Sequence, residues 1–348
     1  PQDTSSAASD VYKRQGVEEP NALLHIGQGS RRTPNVRATV QELYEDLHAS
    51  SQNHWPSLQF DLGAAVGMAG ALFPAGFYYK TFIATPKRWL FYEKYIRKMA
   101  GLGEPPLEAD PDSYAHRHAH CDVLIAGGGP AGLAAALTAG SAGARVIIMD
   151  EKPALGGSLL YAPQRIGGDS GEEWAAAAAA QLEAMTNVRV LTRTTLAGSF
   201  EGNFFTAAER VTDHLSSPEA HVPRWRFWTV RAKDAIFAQG AIERPIAFAN
   251  NDRPGVMLLS ALRGYLARYG VSAGKTGVLF GNNDSLYATA RELAGAGMRI
   301  EAIADIRPHL SEAAAQAKLD GFTVMPGHAV IGARGLQAVR AAEIAPVD

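Results

Sequence analysis

The sequence predicts an α/β fold in which parallel strands alternate with helices, and two observations indicate this class. A short apolar strand, a glycine-rich turn, a small-residue helix and a second strand follow one another over residues 122–149, which is the order of a βαβ unit. The same order recurs over residues 277–304 as an internal echo. At 348 residues, 47% of them apolar and 20% charged, the chain is long enough for two such folded domains.

Composition argues against several functional classes. The 33 Lys and Arg residues nearly balance 35 Asp and Glu residues, giving a net charge of −2, so we expect no nucleic-acid partner. The single cysteine, Cys121, allows no internal disulfide and no four-cysteine metal site, and a reducing cytoplasm is the expected location. The start of the chain lacks the pattern of a secretory signal. The uncharged stretch over residues 62–79 is too rich in glycine for a membrane helix, so we expect no membrane segment.

The first 120 residues precede the two repeated units. Residues 1–15 are rich in Ser, Ala and Asp without periodicity, and we expect them to be non-native or disordered. Residues 16–120 are interpreted as a partial N-terminal region and linker. Within them we predict a strand over residues 23–26, a helix around residues 40–47 and an amphipathic helix over residues 89–99.

The two units are assigned to successive domains, residues 121–250 and residues 251–348. In the first domain an Ala-rich helix over residues 172–185 and a third strand over residues 188–192 follow the βαβ unit. Aromatic and β-branched runs then predict further strands that lie over the sheet. These runs comprise residues 199–206, 225–230 and 235–238.

The turn of the first unit has the spacing of a dinucleotide-binding site. Gly127, Gly129 and Gly132 directly follow a strand and open a helix, together with Pro130 and Ala131. Gly127 permits the tight turn, Gly129 lets a pyrophosphate approach the backbone, and Gly132 lets the helix pack closely on the sheet. The free N–H groups and the positive end of the helix then face the phosphates.

An acidic residue, Asp150, ends the second strand, where it is placed to accept hydrogen bonds from the adenosine ribose. Asp150 and the adjacent Glu151 disfavour a ribose 2′-phosphate, which favours NAD or FAD over NADP. Lys152 either neutralises part of this charge or is an ordinary surface lysine. Gly157 and Ser158 follow in a Gly-Gly-Ser turn that either lies near the pyrophosphate or is a plain turn.

The second unit is predicted to hold no dinucleotide. Of the three motif glycines, its turn has only the first, Gly281. Asn283 places a side chain where a phosphate would approach, and Asp284 places a negative charge at the start of the helix. We interpret Asp284 as an N-cap that stabilises its own helix by roughly 1 kcal/mol. The second domain is therefore expected to be a degenerate, truncated relative of the first.

Three histidines at alternate positions, His116, His118 and His120, precede the first predicted strand. Same-face histidines on an extended segment rarely converge on one ion, so we favour docking of the linker onto the strand over a metal site. Cys121 is expected to be buried and inert. No Gly-x-Ser-x-Gly elbow is present, so acyl hydrolysis has no support, and no residue is assigned a catalytic role.

Several short runs of residues are similar to motifs of one family of flavoenzymes. They comprise residues 18–23, 53–57, 72–80, 121–132 and 251–257. Residues 238–245, which contain Gly240, are similar to the Ala-Thr-Gly motif of flavoproteins, with Gln239 where Thr is usual. On these motifs the chain resembles the alpha subunits of heterotetrameric sarcosine oxidases over residues 16–348. The resemblance implies a Rossmann-like flavoprotein fold with two dinucleotide-binding domains, of the pyridine nucleotide-disulfide oxidoreductase type.

The resemblance also implies a function. Enzymes of this family demethylate sarcosine oxidatively, with tetrahydrofolate as one-carbon acceptor and oxygen as oxidant. Their alpha subunit binds NAD and assembles with beta, gamma and delta subunits, and the complex also holds FMN and FAD. The chain is expected to be a cofactor-binding fragment, inactive alone, that starts inside the N-terminal domain and stops before a folate domain. By motif position the residues at NAD would be Ala131, Asp150, Glu151, Lys152 and Ser158, with Leu196 near the adenine.

The sequence is also compatible with two alternative functions. An FAD-dependent subunit of an opine or other amine dehydrogenase would share the glycine turn and the acidic strand end, with FAD in place of NAD. A non-catalytic scaffold subunit would hold its nucleotide only structurally, and the aromatic-rich residues 55–95 would form its docking surface.

Overall fold

The structure is a computed structural model, and the chain divides into two compact units. One unit is Pro1–Ser113 with Thr212–Val222, and the other is Tyr114–Val211 with Pro223–Asp348. The predicted segment of residues 1–15 and the uncharged stretch of residues 62–79 lie outside the described residues. The described residues are 23–38, 41–52, 54, 56, 57, 60, 86–99, 103, 109–162, 164–336 and 338–347.

The first unit contains a small antiparallel sheet in which the first strand lies between the other two. Its strands are β1 (Leu23–Ile26), β2 (Thr33–Arg37) and β3 (Ala49–Ser51), and its described helix is α1 (Pro86–Met99). The predicted strand and the amphipathic helix are confirmed. The helix predicted around residues 40–47 is wrong for the described residues 41–47, because the chain turns at Asp46, whose φ of 60° is incompatible with a right-handed helix.

The second unit begins with a six-stranded sheet of order β8-β5-β4-β11-β10-β9. The strands β8, β5, β4 and β11 are parallel, whereas β11, β10 and β9 form an antiparallel meander. The elements are β4 (Tyr114–Ala126), α2 (Pro130–Ser141), β5 (Val146–Met149), β6 (Arg165–Ile166), β7 (Asp169–Ser170), α3 (Gly171–Ala184), β8 (Val188–Leu191), β9 (Thr194–Phe200), β10 (Phe204–Arg210) and β11 (Trp225–Phe237).

Strand β4 begins earlier than predicted. It pairs in parallel with β11 from Tyr114 opposite Trp225 to Ala126 opposite Phe237, so the two runs predicted within β11 are one strand. The predicted domain boundary between residues 120 and 121 therefore falls inside a strand. His116, His118 and His120 belong to the sheet and are not a docked linker, because β11 supplies backbone partners along this whole stretch.

The sheet is covered on both faces by apolar side chains. On one face, Ile125, Val146 and Ile148 pack against Leu133 of α2 and Leu182 of α3. On the other face, side chains of β4 and β5 pack with side chains of β10 and β11, although β5 and β10 are not neighbours in the sheet. This second cluster contains Cys121, Leu124, Ile147, Met149, Leu191, Phe205, Ala207, Trp228 and Val230.

The run predicted as a strand over residues 199–206 is wrong, because a turn at residues 201–203 divides it between β9 and β10. The runs predicted within β11 do not lie over the sheet but extend it, because β11 pairs with β4 along its length.

The second βαβ unit is present as predicted. Three parallel strands in the order β12-β13-β14 carry helices, and a β15–β16 hairpin follows. The division of this compact unit at residue 250 remains a prediction. No helix in the described part of the chain is long and apolar enough to cross a membrane. The elements are α4 (Leu259–Tyr269), β12 (Thr276–Gly281), α5 (Ser285–Gly295), β13 (Arg299–Asp305), α6 (Glu312–Leu319), β14 (Val324–Pro326), β15 (His328–Arg334) and β16 (Ala341–Pro346).

The packing of α3 on the sheet leads to a stability prediction. Leu182 has no exposed surface and lies in the cluster beneath the first βαβ unit. Leu182→Ala should lower the free energy of unfolding by about 3 kcal/mol, because a buried cavity replaces its contacts. Leu319→Ala, at the end of α6 and 81% exposed, is the matched control and should change it by less than about 0.5 kcal/mol. Urea unfolding followed by circular dichroism measures both, and equal losses would contradict the assignment of Leu182 to the core.

Candidate functional site

Gly127 is the residue at which β4 turns towards α2. Its φ is +103°, and an added Cβ would overlap the carbonyl of Ala238 and lie 2.7 Å from Cα of Gln239. The Ala238 N–H donates to the Ala126 carbonyl at 2.7 Å, so the segment that resembles the Ala-Thr-Gly motif lies directly against the glycine turn. Gly240 follows with a φ of +70° and open space around its Cβ position. Both the conformation and the contact require glycine at position 127.

Close packing leaves no space for a side chain at Gly128 or at Gly132. A Cβ on Gly132 would overlap the Gly127 carbonyl oxygen and lie 3.5 Å from Cγ2 of Ile125, so this glycine does bring α2 onto the sheet. A Cβ on Gly128 would overlap the Leu155 side chain. The glycine spacing predicts no role for Gly128, yet its N–H donates to the Asp150 carboxylate at the end of the next strand.

Gly129 faces open space at the start of α2. The nearest atom to its Cβ position is Cα of Gly157, at 3.9 Å. Gly129 is the N-cap and has no side chain, and Pro130 occupies the first helical position, while Ala131 is exposed. The N–H groups of Ala131 and Gly132 have no acceptor within the helix, so they are available to an anion.

The second glycine turn lies against the first. The Gly156 N–H donates to the Gly128 carbonyl at 2.8 Å, and a Cβ on Gly157 would lie 2.8 Å from Cα of Gly129. The second glycine turn is therefore adjacent to the first, and its predicted place near a pyrophosphate remains a prediction. Ser158 is half-buried in the short 3₁₀ helix Gly157–Leu160 that follows.

Asp150 ends β5 with its carboxylate already oriented. Oδ2 accepts from the Gly128 N–H at 2.6 Å, and Oδ1 accepts from the Lys152 N–H at 2.8 Å. Each carboxylate oxygen can accept a further hydrogen bond, so the residue retains capacity for a ribose diol. The exposed side chains of Glu151 and Lys152 pair with each other at 3.2 Å, so Lys152 neutralises Glu151 rather than Asp150.

Leu196 is placed in the hydrophobic cluster beneath the meander. It lies on β9 opposite Ala207 and is partly buried against the residues of β4 and β5. Its predicted position near an adenine remains a prediction.

The turn of the second βαβ unit is arranged differently. Asp284 occupies the N-cap position of α5, but its side chain does not cap the helix. Its carboxylate instead accepts from Arg307 and from Ser311, each at 2.7 Å, so the predicted capping role is wrong. The charged guanidinium forms stronger hydrogen bonds than a backbone N–H, and Asn283 accepts from the N–H of Ser285 in its place.

Arg307 joins Asp284 to the carboxylate that ends β13. Asp305 is 2% exposed and accepts from the Tyr287 hydroxyl at 2.5 Å and from the Arg307 guanidinium at 2.7 Å. Burial alone would raise the pKa of Asp305, but the hydrogen bonds from Arg307 and Tyr287 outweigh it, so the pKa lies below its ordinary value. Burial and the bond to Asp305 raise the pKa of Tyr287. Side chains of this unit thus satisfy the groups that would otherwise face a nucleotide.

The cysteine and the three alternate histidines all lie on β4. Cys121 is buried, as expected, and burial followed by the charge of Asp122 raises the pKa of its thiol to about 11. His116, His118 and His120 are exposed at alternate positions of β4, and the His116 ring lies 5.5 Å from that of Phe227. Within the described ranges, no group of three His, Cys, Asp or Glu side chains is placed to hold a metal ion.

The fold is that of a Rossmann-like flavoprotein. Its parallel sheet has a glycine turn before the first helix and an acidic residue at the end of the second strand, and an antiparallel meander continues the sheet. Residues 122–164 match the family model of FAD dependent oxidoreductases. L-proline dehydrogenase from P.horikoshii is a structural neighbour with 20% identity and a TM-score of 0.49, covering 70% of this chain and 43% of that chain.

The similarity to one group of oxidoreductases extends along the chain. The alpha subunit of sarcosine oxidase from Rhizobium meliloti (strain 1021) is 49% identical over 331 residues, which are 94% of this chain and 33% of the relative. An opine oxidase subunit from Agrobacterium tumefaciens (strain Ach5) is 32% identical over 184 residues, 51% of this chain and 35% of the relative. The chain is therefore a homologue of sarcosine oxidase alpha subunits, and it spans about a third of the length of these relatives.

The Arg307 cluster generates a second stability prediction. Arg307→Met leaves the buried Asp305 carboxylate without its cation and should lower the free energy of unfolding by roughly 3 kcal/mol. Arg291→Met, which breaks the more exposed pair with Asp320, is the matched control and should cost much less. Urea unfolding at neutral pH compares the two, and similar losses would show that Asp305 does not depend on Arg307.

The same cluster predicts a pH dependence. Because the pKa of Asp305 is lowered in the folded chain, its contribution is fully present above the ordinary aspartate pKa of about 3.9 and is lost as the pH falls below it. We expect the stability difference between the wild-type protein and Arg307→Met to shrink as the pH falls below that value. Unfolding curves from neutral to acid pH measure it, and a difference that does not change with pH would refute this linkage.

Proposed function

We propose that this chain is the dinucleotide-binding part of an oxidoreductase subunit that acts within a multi-subunit amine oxidase. One observation carries the proposal: the open space at Gly129 is bounded by Gly157, by the start of α2 and, through Gly128, by the oriented carboxylate of Asp150. A pyrophosphate fits the space and the helix start, and an adenosine ribose fits the carboxylate.

The roles of the residues follow from this arrangement. The N–H groups of Ala131 and Gly132 would hold the phosphates, Gly129 and Gly157 would admit them, and Asp150 would accept from the ribose hydroxyls. The Asp150 carboxylate, which receives only backbone N–H groups, would repel a 2′-phosphate. An unphosphorylated dinucleotide, when bound, supplies hydride or electron transfer. No side chain of this site is assigned a proton transfer, so the chain's part in the chemistry is to bind and orient.

The identity of the dinucleotide is proposed as either FAD or NAD. The family model that residues 122–164 match is that of FAD dependent oxidoreductases, which favours FAD in this site. The resemblance to sarcosine oxidase alpha subunits is what suggests NAD, with FMN and FAD elsewhere in the assembled complex. The adenosine half and the pyrophosphate are common to both, and the roles proposed for these residues concern only those shared parts.

The substrate and partners follow from the homology. We propose that the assembled enzyme oxidises the N-methyl group of sarcosine with tetrahydrofolate as one-carbon acceptor, and that its partners are beta, gamma and delta subunits. An opine oxidase is the second candidate, because the opine oxidase relative is also similar to half of this chain. Turnover of the assembled complex with sarcosine against an opine separates the two functions.

The nature of the cofactor can be tested directly. Heat denaturation of the purified chain should release a dinucleotide, and mass spectrometry of the supernatant identifies it. FAD alone would remove NAD from the proposal and NAD alone would remove FAD. A preparation that neither releases nor rebinds either one would contradict the proposed site.

Substitution of Gly129 should abolish binding without unfolding the protein. A Cβ at this position meets only Cα of Gly157 at 3.9 Å, so Gly129→Trp can be folded while its ring fills the phosphate space. We expect dinucleotide affinity to fall by at least about 100-fold, as whole phosphate contacts are lost. Gly295→Trp, at an exposed glycine with open space around it, is the matched control and should bind normally. Isothermal titration measures both, and normal binding by Gly129→Trp would place the nucleotide elsewhere.

If Gly129→Trp loses the dinucleotide but the assembled complex keeps normal turnover, the nucleotide is structural. The chain would then act as a scaffold subunit.

A further inference from the structure

The loop that carries Asp150 is held by residues outside the βαβ unit. After β5 the chain leaves the sheet, and three successive carbonyl groups of this loop accept hydrogen bonds from residues at the start of β9 and the end of β10. The bonds are Thr194 N–H to the Asp150 carbonyl at 2.8 Å, Arg210 Nη2 to the Glu151 carbonyl at 2.6 Å and Arg193 N–H to the Lys152 carbonyl at 2.9 Å.

Arg210 is the only side chain among these three donors. It is the last residue of β10, and its own N–H donates to the Arg193 carbonyl at 3.0 Å. Its backbone is therefore fixed next to Arg193, whose φ of 51° is a left-handed conformation. Arg210 is half-buried, and its guanidinium reaches the Glu151 carbonyl from this fixed backbone position.

The peptide group that Arg210 contacts also orients Asp150. The Glu151 carbonyl and the Lys152 N–H belong to one planar peptide unit. Arg210 donates to the Glu151 carbonyl oxygen of this peptide, while the Lys152 N–H of the same peptide donates to Oδ1 of Asp150 at 2.8 Å. A rotation of this peptide would break both bonds together. The guanidinium thus fixes the direction in which the Asp150 carboxylate points.

We propose that Arg210 is a positioning residue for recognition of the adenosine ribose. It acts through the peptide between Glu151 and Lys152, which holds the Asp150 carboxylate towards the ribose hydroxyls. This inference rests on the proposed dinucleotide site, and it adds a residue of the meander that the glycine motif does not contain.

The test measures how strongly the full chain, freed of bound nucleotide, distinguishes ADP from 2′-deoxy-ADP in isothermal titration. The wild-type protein should prefer ADP by about tenfold, the effect of one hydrogen bond to a carboxylate. In Arg210→Met the ratio should fall towards one, with weaker ADP binding. Arg210→Lys keeps the charge without the planar fork and should give an intermediate ratio.

Arg231→Met is the matched control. It removes the same charge from the neighbouring strand β11, where the guanidinium lies over the Phe204 ring, and it should keep the wild-type ratio. A purely structural role of Arg210 would lower the melting temperature and weaken both nucleotides equally. An unchanged ratio in Arg210→Met would therefore overturn the proposal. Arg210→Gln, too short to reach the carbonyl, is measured in the same way should the Met variant fail to fold.

The outcomes separate this inference from the proposed function. A wild-type chain that binds neither nucleotide contradicts the dinucleotide site itself. A wild-type chain that binds both equally overturns the positioning role together with the proposed role of Asp150 at the ribose, and it leaves the phosphate position at Gly129 as proposed. Loss of the ratio in Arg210→Met, with the ratio kept in Arg231→Met, supports it.

Discussion

The close approach of three backbone segments at Gly127 is the contact on which the first βαβ unit depends. The carbonyl of Gly127 fills the place of a side chain on Gly132, and the space beside its own Cα is filled by the backbone of Ala238 and Gln239. Strand β4, helix α2 and the end of β11 can meet there only because two of the residues are glycine. The same packing leaves open space at Gly129 and directs the Gly128 N–H at Asp150. The contacts that hold the βαβ unit together therefore also form the candidate site.

Local patterns predicted the elements whose partners lie nearby in sequence. The apolar runs and the glycine turn gave β4, α2 and β5 of the first unit, and they gave its echo, because each signal lies within the element itself. The polar, histidine-rich start of β4 was missed, since its partner β11 lies about a hundred residues further on. The predicted helix around residues 40–47 failed for a related reason, because spacing of apolar residues does not show that Asp46 adopts a left-handed turn.

The part of the candidate site that lies within the glycine motif was predictable from the sequence, and the contacts from distant strands were not. The roles of Gly127 and Gly132 follow from the motif, and the structure gives each the contact that the motif requires. The approach of Gly157 to Gly129 was one of two open alternatives. The bond from Arg210 to the Glu151 carbonyl was not predictable, because Arg210 ends a strand far along the chain and belongs to no motif. Such tertiary contacts depend on register, which the spacing of residues in one segment does not specify.

The two βαβ units share a topology, but they differ in the groups that contact the carboxylate at the end of the second strand. In the second unit Arg307 follows Asp305 by two residues and binds its carboxylate directly, so the acidic strand end is neutralised by its own loop. In the first unit the Asp150 carboxylate receives only backbone N–H groups, while Lys152 pairs with Glu151 and Arg210 donates to a carbonyl. The carboxylate of Asp150 is thereby oriented without being neutralised. The Asp305 carboxylate, which accepts from Arg307 and from Tyr287, therefore has less capacity left for a ligand than the Asp150 carboxylate.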